Sequence, residues 1–125
     1  MRLLVVEDDP ATRESERRAL EKDGWTVAEA ENGAEGLEMA LDSLPDLVLL
    51  DLMMPVMDGF EFVAEFRRHE HLRHVPIIVL TAMDLTSDVR ERLAGGVAKI
   101  VGKEEEVADD LLKQVRRVLG RGPSA

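Results

Sequence analysis

Acidic residues sit directly where two apolar runs end. Leu3-Leu4-Val5-Val6 leads into Glu7-Asp8-Asp9, and Leu47-Val48-Leu49-Leu50 leads into Asp51. A third run, Ile77-Ile78-Val79-Leu80, ends in Thr81-Ala82, and a weaker one, Ala98 to Val101, leads to Lys103. Taken alone, an acid after a strand is most simply a helix N-cap or a solvated loop acid. Acids after neighbouring parallel strands differ, because the carboxyl ends of such strands share one edge of the sheet. Carboxylates gathered there repel one another unless a cation neutralises them. An all-oxygen ligand set suits Mg²⁺, with Mn²⁺ as a substitute. Lys103 would add a mobile point charge and Thr81 a hydroxyl donor. A carboxylate nucleophile, a hard cation, an ammonium and a hydroxyl make a set for phosphoryl transfer, with Asp51 attacking phosphorus to form an acyl phosphate.

Whether these residues meet depends on the elements that carry them. Uninterrupted apolar runs of this length read as strands buried on both faces, as in a parallel sheet. Pro10, behind Asp9, opens a helix to about Lys22 that stops at Asp23-Gly24. Its apolar face is thin: Ala11, Ala19 and Leu20 belong to it, but Ser15 and Glu16 stand where hydrophobes are expected. Trp25 to Ala30 alternates and reads as an edge strand. Asn32-Gly33 turns into a second helix with Leu37, Ala40, Leu41 and Leu44 on one side, ended by Pro45. Asp58 and Glu61 resemble a capping box at the head of a third helix, whose buried face is Phe62, Val63 and Phe66. A short polar helix from about Ser87 stops at Gly95-Gly96. The last helix carries Val107, Leu111, Val115 and Val118 or Leu119 at helical spacing. A βα unit repeated five times implies a parallel sheet with right-handed crossovers. The chain is too short for an eight-stranded barrel. The expected fold is therefore α/β: a five-stranded parallel sheet, order 2-1-3-4-5, in a doubly wound (flavodoxin-like) three-layer sandwich. The switch point falls between strands 1 and 3, where the carboxylates converge.

Composition bounds the reading. A chain of 125 residues, 45% hydrophobic and 34% charged, is one soluble domain with a single ordinary core. We expect the domain to span 1–119, with 120–125 as a tail or linker. No apolar run approaches the roughly 20 residues of a membrane span, and no signal peptide precedes the first strand. With no cysteine there is no disulfide or thiol chemistry, which fits a cytoplasmic protein. A net charge of −10 argues against nucleic acid and anionic lipid as partners, and leaves cations and basic protein surfaces.

With the elements placed, the sequence resembles the receiver (response-regulator, CheY-like) domain of two-component signalling over nearly its whole length. Glu7-Asp8 matches the acidic pair after strand 1 and Asp51 the phosphoacceptor. Met54-Pro55-Val56-Met57-Asp58-Gly59 matches the loop that follows it. Thr81-Ala82 matches the switch hydroxyl with its small neighbour, and Lys103 the lysine after strand 5. The stretch Glu91 to Ile100 is most similar to receivers of hybrid sensor histidine kinases. The resemblance implies that Asp8, Asp51 and the backbone carbonyl of Met53 bind the metal, with Glu7 acting through water. It implies that Thr81 and Lys103 bind the phosphoryl oxygens, and that Thr81 and Ile100 form the switch. Asp9 is either a third acid of the pocket or the cap of the first helix, and the cap is preferred. The implied function is a phosphoprotein switch of phosphorelay signal transduction, not an enzyme acting on a separate substrate. It would accept a phosphoryl group, with Mg²⁺, from a sensor histidine kinase or a histidine phosphotransfer protein.

Three departures bear on output rather than on phosphorylation. Glu104 follows Lys103 where many receivers have proline, Ile100 replaces the common aromatic of strand 5, and the first helix is unusually polar. His69, His71 and His74 read as solvated residues at the end of the third helix, not as a metal site. Met53 and Met83 are expected at the pocket rim, and Glu104-Glu105-Glu106 as favourable charge at a helix N-terminus. Two alternatives remain at this stage. One is a Mg²⁺-dependent phosphatase with an aspartyl nucleophile, which Glu7-Asp8-Asp9 and the lack of a long insertion fit badly. The other is a degenerate receiver that only binds partners, against which the intact acids, Thr81 and Lys103 argue.

Overall fold

A computed structural model describes residues 2–82, 86–102, 108–120 and 122. The elements alternate in chain order: β1 (Arg2–Val6), α1 (Pro10–Lys22), β2 (Thr26–Ala30), α2 (Gly33–Asp42), β3 (Leu47–Leu50), α3 (Gly59–Arg68), a 3-10 turn (Glu70–Leu72), β4 (Ile77–Thr81), α4 (Ser87–Leu93), β5 (Lys99–Gly102) and α5 (Ala108–Leu119). The strands form one parallel sheet, as the run-and-helix alternation implies, and its order β2-β1-β3-β4-β5 is the one expected of the doubly wound fold.

Alternation along each strand splits the core in two. Leu4, Val6, Val48, Leu50, Ile77 and Val79 face one side, where Ala40, Phe62, Phe66 and Leu93 of α2, α3 and α4 cover them. Leu3, Val5, Leu47, Leu49, Ile78 and Leu80 face the other, under Leu20 of α1 and Leu111 and Val115 of α5. Every residue of β3 and β4 is buried, which is why those strands read as unbroken apolar runs.

Two helices differ from the sequence reading. In α2 the buried seam is Gly33, Gly36 and Ala40, whereas Leu41 and Leu44 are exposed. The helix lies so close to β1 that a Cβ on Gly36 would stand 2.8 Å from Val6 Cγ2 and 3.3 Å from Phe62. Small residues therefore make the closest approach to the sheet, Leu37 and Met39 pack partly buried beside them, and Leu41 turns outward. In α1, Ser15 is exposed and Ala11 with it, but Glu16 is buried beside Leu20. The thin apolar face is supplemented by charge: Arg13 and Arg17 lie 3.6 and 3.5 Å from the carboxylate of Glu29 on β2.

The C-terminal end of α1 is tied to α5. Arg116 donates through Nε and Nη2 to the two oxygens of Asp23, at 3.2 and 2.8 Å, and the indole of Trp25 donates to Asp23 at 2.9 Å. The hydrogen bond from Arg116, helped by that from Trp25, holds the Asp23 carboxyl below its usual range, against the opposing effect of burial. A carboxyl lowered by folding contributes stability above its unfolded pKa and loses it as pH falls through the folded one. We expect Asp23→Asn to lower stability modestly at neutral pH, since Arg116 is well exposed. The gap to wild type should close on acidification, as measured by urea unfolding across that range.

Candidate functional site

The pairing of β1 with β3 determines the site. Val6 lies opposite Leu50, so the next residues, Glu7 and Asp51, leave adjacent strands at the same level. Asp51 N–H donates to Val6 O at 3.1 Å, and Glu7 N–H donates to Ala30 O of β2 at 3.1 Å, which fixes both backbones. Arg13 reaches back from α1 and donates to Glu7 O at 2.9 Å. Each of Glu7, Asp8 and Asp51 offers a carboxylate oxygen, and these oxygens all lie within 4.8 Å of one another. Glu7 and Asp51 are buried and Asp8 is partly exposed, so the cluster opens to solvent on one side.

Asp9 stays out of this group. Its Oδ2 accepts from Thr12 N–H at 2.9 Å, the N-cap of α1, as preferred from sequence. Thr81, fully buried, ends β4 on the other side of β3. It pairs with Gly102 of β5, the residue before Lys103. Lys103, Met83, Val107 and Glu104-Glu105-Glu106 lie outside the described residues. Met53 is half exposed at the rim, and its N–H donates to Asp51 Oδ1 at 3.2 Å. Ile100 is partly buried against the core under α3 and α4, opposite Val79 rather than Thr81. His71 and His74 are exposed and His69 caps the end of α3; among the described residues no histidine joins a metal-binding group.

The donor set is carboxylate oxygen only, and it meets solvent at the partly exposed Asp8. It fits a hard divalent cation of the Mg²⁺ type and offers nothing to a soft metal.

The loop after Asp51 is held at both ends. Gly59 N–H donates to Leu52 O at 3.0 Å, and a Cβ on Gly59 would stand 2.6 Å from Leu52 Cα and 2.9 Å from Asp51 O. Only glycine permits that approach. Asp58 caps α3 by accepting from Glu61 N–H at 2.9 Å. Between them Met57 N–H donates to Pro55 O at 2.8 Å across Val56, whose φ is +69°. This is a γ-turn with a positive central φ, a strained form that a β-branched residue rarely adopts. The sequence carries no sign of it, since valine predicts extended backbone.

Residues 3–116 match the family described as the response regulator receiver domain. The chain belongs to this family. It is 40% identical over 121 residues to the response regulator MprA of Mycobacterium ulcerans, covering 97% of this chain but 51% of that protein. The chain thus spans about half the length of the curated relatives it matches. Among solved structures, this receiver domain superposes on the chemotaxis protein CheY4 of Vibrio cholerae with a TM-score of 0.87 at 30% identity, covering 94% of this chain and 97% of that one. The receiver domain of the sensor histidine kinase PA1611 from Pseudomonas aeruginosa PAO1 matches equally well, with a TM-score of 0.87 at 30% identity over 95% of this chain and 97% of that one. In that structure a magnesium ion is coordinated in the active site cleft. The expected family and its CheY-like fold are both borne out. The described residues contain no helix long and apolar enough to cross a membrane.

Val56 provides a test of the loop. It is 80% exposed, so replacing it loses little packing. A strained positive φ costs about 1–3 kcal/mol, and glycine's extra freedom in the unfolded chain costs about 0.5–1 kcal/mol. The first outweighs the second. We expect Val56→Gly to stabilise the domain by about 1 kcal/mol in chemical denaturation.

Proposed function

We propose that this receiver domain accepts a phosphoryl group on Asp51 from a phosphohistidine, carried by a sensor histidine kinase or a histidine phosphotransfer protein. The observation that carries the reading is the convergence of Glu7, Asp8 and Asp51 at the carboxyl edge of β1 and β3, with buried Thr81 one strand away. A carboxylate oxygen of Asp51 attacks phosphorus; the new P–O bond forms as the P–N bond breaks, and the donor imidazole leaves with its electron pair and takes a proton. Return to the free acid follows when water attacks the acyl phosphate. The domain thus acts on its own side chain and turns over no separate substrate.

Asp8, Asp51 and the carbonyl of Met53 would hold Mg²⁺, or Mn²⁺ in its place, with Glu7 bound through water. The cation supplies charge neutralisation for the transferring phosphoryl oxygens. The Thr81 hydroxyl donates to one phosphoryl oxygen and the Lys103 ammonium pairs with another. The partners are proteins rather than nucleic acid or membrane, as the net charge of −10 favours. The setting is the cytoplasm, in keeping with the absence of cysteine.

Phosphorylation adds about 1.5–2 negative charges, which draw the Thr81 hydroxyl towards Asp51. Ile100 is stiff at χ1 and small beside an aromatic ring, so its repacking changes the surface of β5 little. On addition of a phosphoryl mimic, NMR shift changes around Ile100 and α5 should be clearly smaller than those beside Asp51. Equal changes would overturn that part of the reading.

The central test is incubation with acetyl phosphate and Mg²⁺, followed by mass spectrometry of the peptide holding Asp51. We expect an acyl phosphate there, none in Asp51→Asn, and a rate about a hundredfold lower in Lys103→Ala. Mg²⁺ at a hundred times its dissociation constant should stabilise the fold by about 2.7 kcal/mol, and Asp8→Ala should remove that gain. An unlabelled wild-type protein would indicate a binding module, and turnover of an added phosphate ester a phosphatase.

A further inference from the structure

At the opposite edge of the sheet, below the N-terminal ends of β4 and β5, lies a second opening. It is a cleft of about 460 Å³, within the size range of small-molecule sites. Arg67, Arg73, His74, Pro76, Gly96 and Ala98 are among the residues that line it, and no acidic side chain does.

Arg67 is the built part of this cleft. It projects from the last turn of α3 and is partly buried. Its Nε donates to Gly96 O at 2.9 Å, and its Nη1 donates to Leu72 O, Arg73 O and Val75 O at 3.0, 3.1 and 2.9 Å. Four carbonyls from two loops thus fix the plane of the guanidinium. Its Nη2 takes no acceptor among the described residues. Arg73 donates only its Nε, to Arg67 O at 3.3 Å, which leaves its outer fork open as well. Neither arginine has a carboxylate within ion-pair distance among the described residues, although acids outnumber bases in the chain by 26 to 16. Burial without a counter-charge lowers the Arg67 pKa. A partly buried guanidinium whose plane is fixed by hydrogen bonds is a fitting partner for carboxylate or phosphate, which it grips through parallel N–H bonds.

We propose that this cleft binds a small multi-oxygen anion, the phosphate of a phosphorylated small molecule or the carboxylates of a polycarboxylate, on Arg67 Nη2, Arg73 and His74. It is independent of Asp51, from which the whole length of the strands separates it.

The test is an NMR titration of the ¹⁵N-labelled domain in Mg²⁺-free buffer at constant ionic strength, with pyrophosphate in one arm and citrate in the other. Saturable shifts are expected at Arg67 Nε–Hε and at the amides of Gly95 to Ala98. A response in one arm alone identifies the phosphate or the carboxylate as the ligand chemistry. The double variant Arg73→Ala, His74→Ala alters only exposed side chains and should weaken binding at least tenfold. Asp51→Asn should bind as wild type does. Shifts that stay linear in both arms, that appear only beside Asp51, or that survive unchanged in the double variant would overturn the proposal.

Discussion

Three carboxylates within 4.8 Å of one another are the constraint around which this domain is arranged. Two unit charges about 4 Å apart repel by about 1 kcal/mol in water and about 4 kcal/mol at the effective dielectric of a protein surface. Nothing about Glu7, Asp8 and Asp51 would bring them together on their own. They are brought together by hydrophobic strands: burial of Leu3 to Val6 and of Leu47 to Leu50 fixes β1 beside β3 in parallel register, and the acids follow as the next residues in line. Burial of the two strands, not attraction between the acids, thus sets where the three carboxylates stand.

The parts around the acids serve the same constraint. Gly36 lets α2 close on Val6, and Gly59 lets α3 start against the backbone of Asp51 and Leu52. Arg13 binds Glu7 through its carbonyl, so it stabilises the backbone without neutralising the carboxylate in that contact. Asp9, one residue further on, is spent on the cap of α1 and kept out of the cluster. Adjacent acids thus receive separate duties from the angle at which the chain leaves the strand.

Much of this was legible in the sequence because burial on both faces leaves an unmistakable run of apolar residues, and the residue after each run is forced to the edge. The parallel sheet and the acids at its edge follow from that logic, whereas the strand order came with the doubly wound fold, the Asp58 cap from its spacing to Glu61 and the Phe62–Phe66 face from helical period. The misreadings have different physical causes. Leu41 and Leu44 fit a helical stripe, but the seam of α2 is defined by closeness of approach, which favours Gly33, Gly36 and Ala40 over large side chains. Glu16 is buried in a helix whose neighbours supply charge as well as apolar surface. Val56 adopts a positive φ that its residue type argues against, at the centre of the turn that Met57 N–H closes onto Pro55 O, and a turn of this kind has no signature in a valine. Arg67 is invisible to periodicity, since its partners are backbone carbonyls, which have no sequence signature.

Arg67 also explains how α3 can be a rigid part. The helix is fixed at its head by Gly59, packed in the middle through Phe62 and Phe66, whose rings stand 5.2 Å apart, and clamped at its tail to two loops. Over ten residues it spans about 15 Å at 1.5 Å per residue. Arg92 of α4 lies over the ring of Phe60, 3.7 Å from its centre, so the first turn of α3 is tied to the neighbouring helix as well. A displacement at the Asp51 loop cannot be absorbed by bending such a helix, because close-packed interiors shift between discrete arrangements rather than deform smoothly. Gly59 at the head, Phe62 and Phe66 in the middle and Arg67 at the tail thus make α3 one packed unit that runs from the backbone of Asp51 and Leu52 to Gly96.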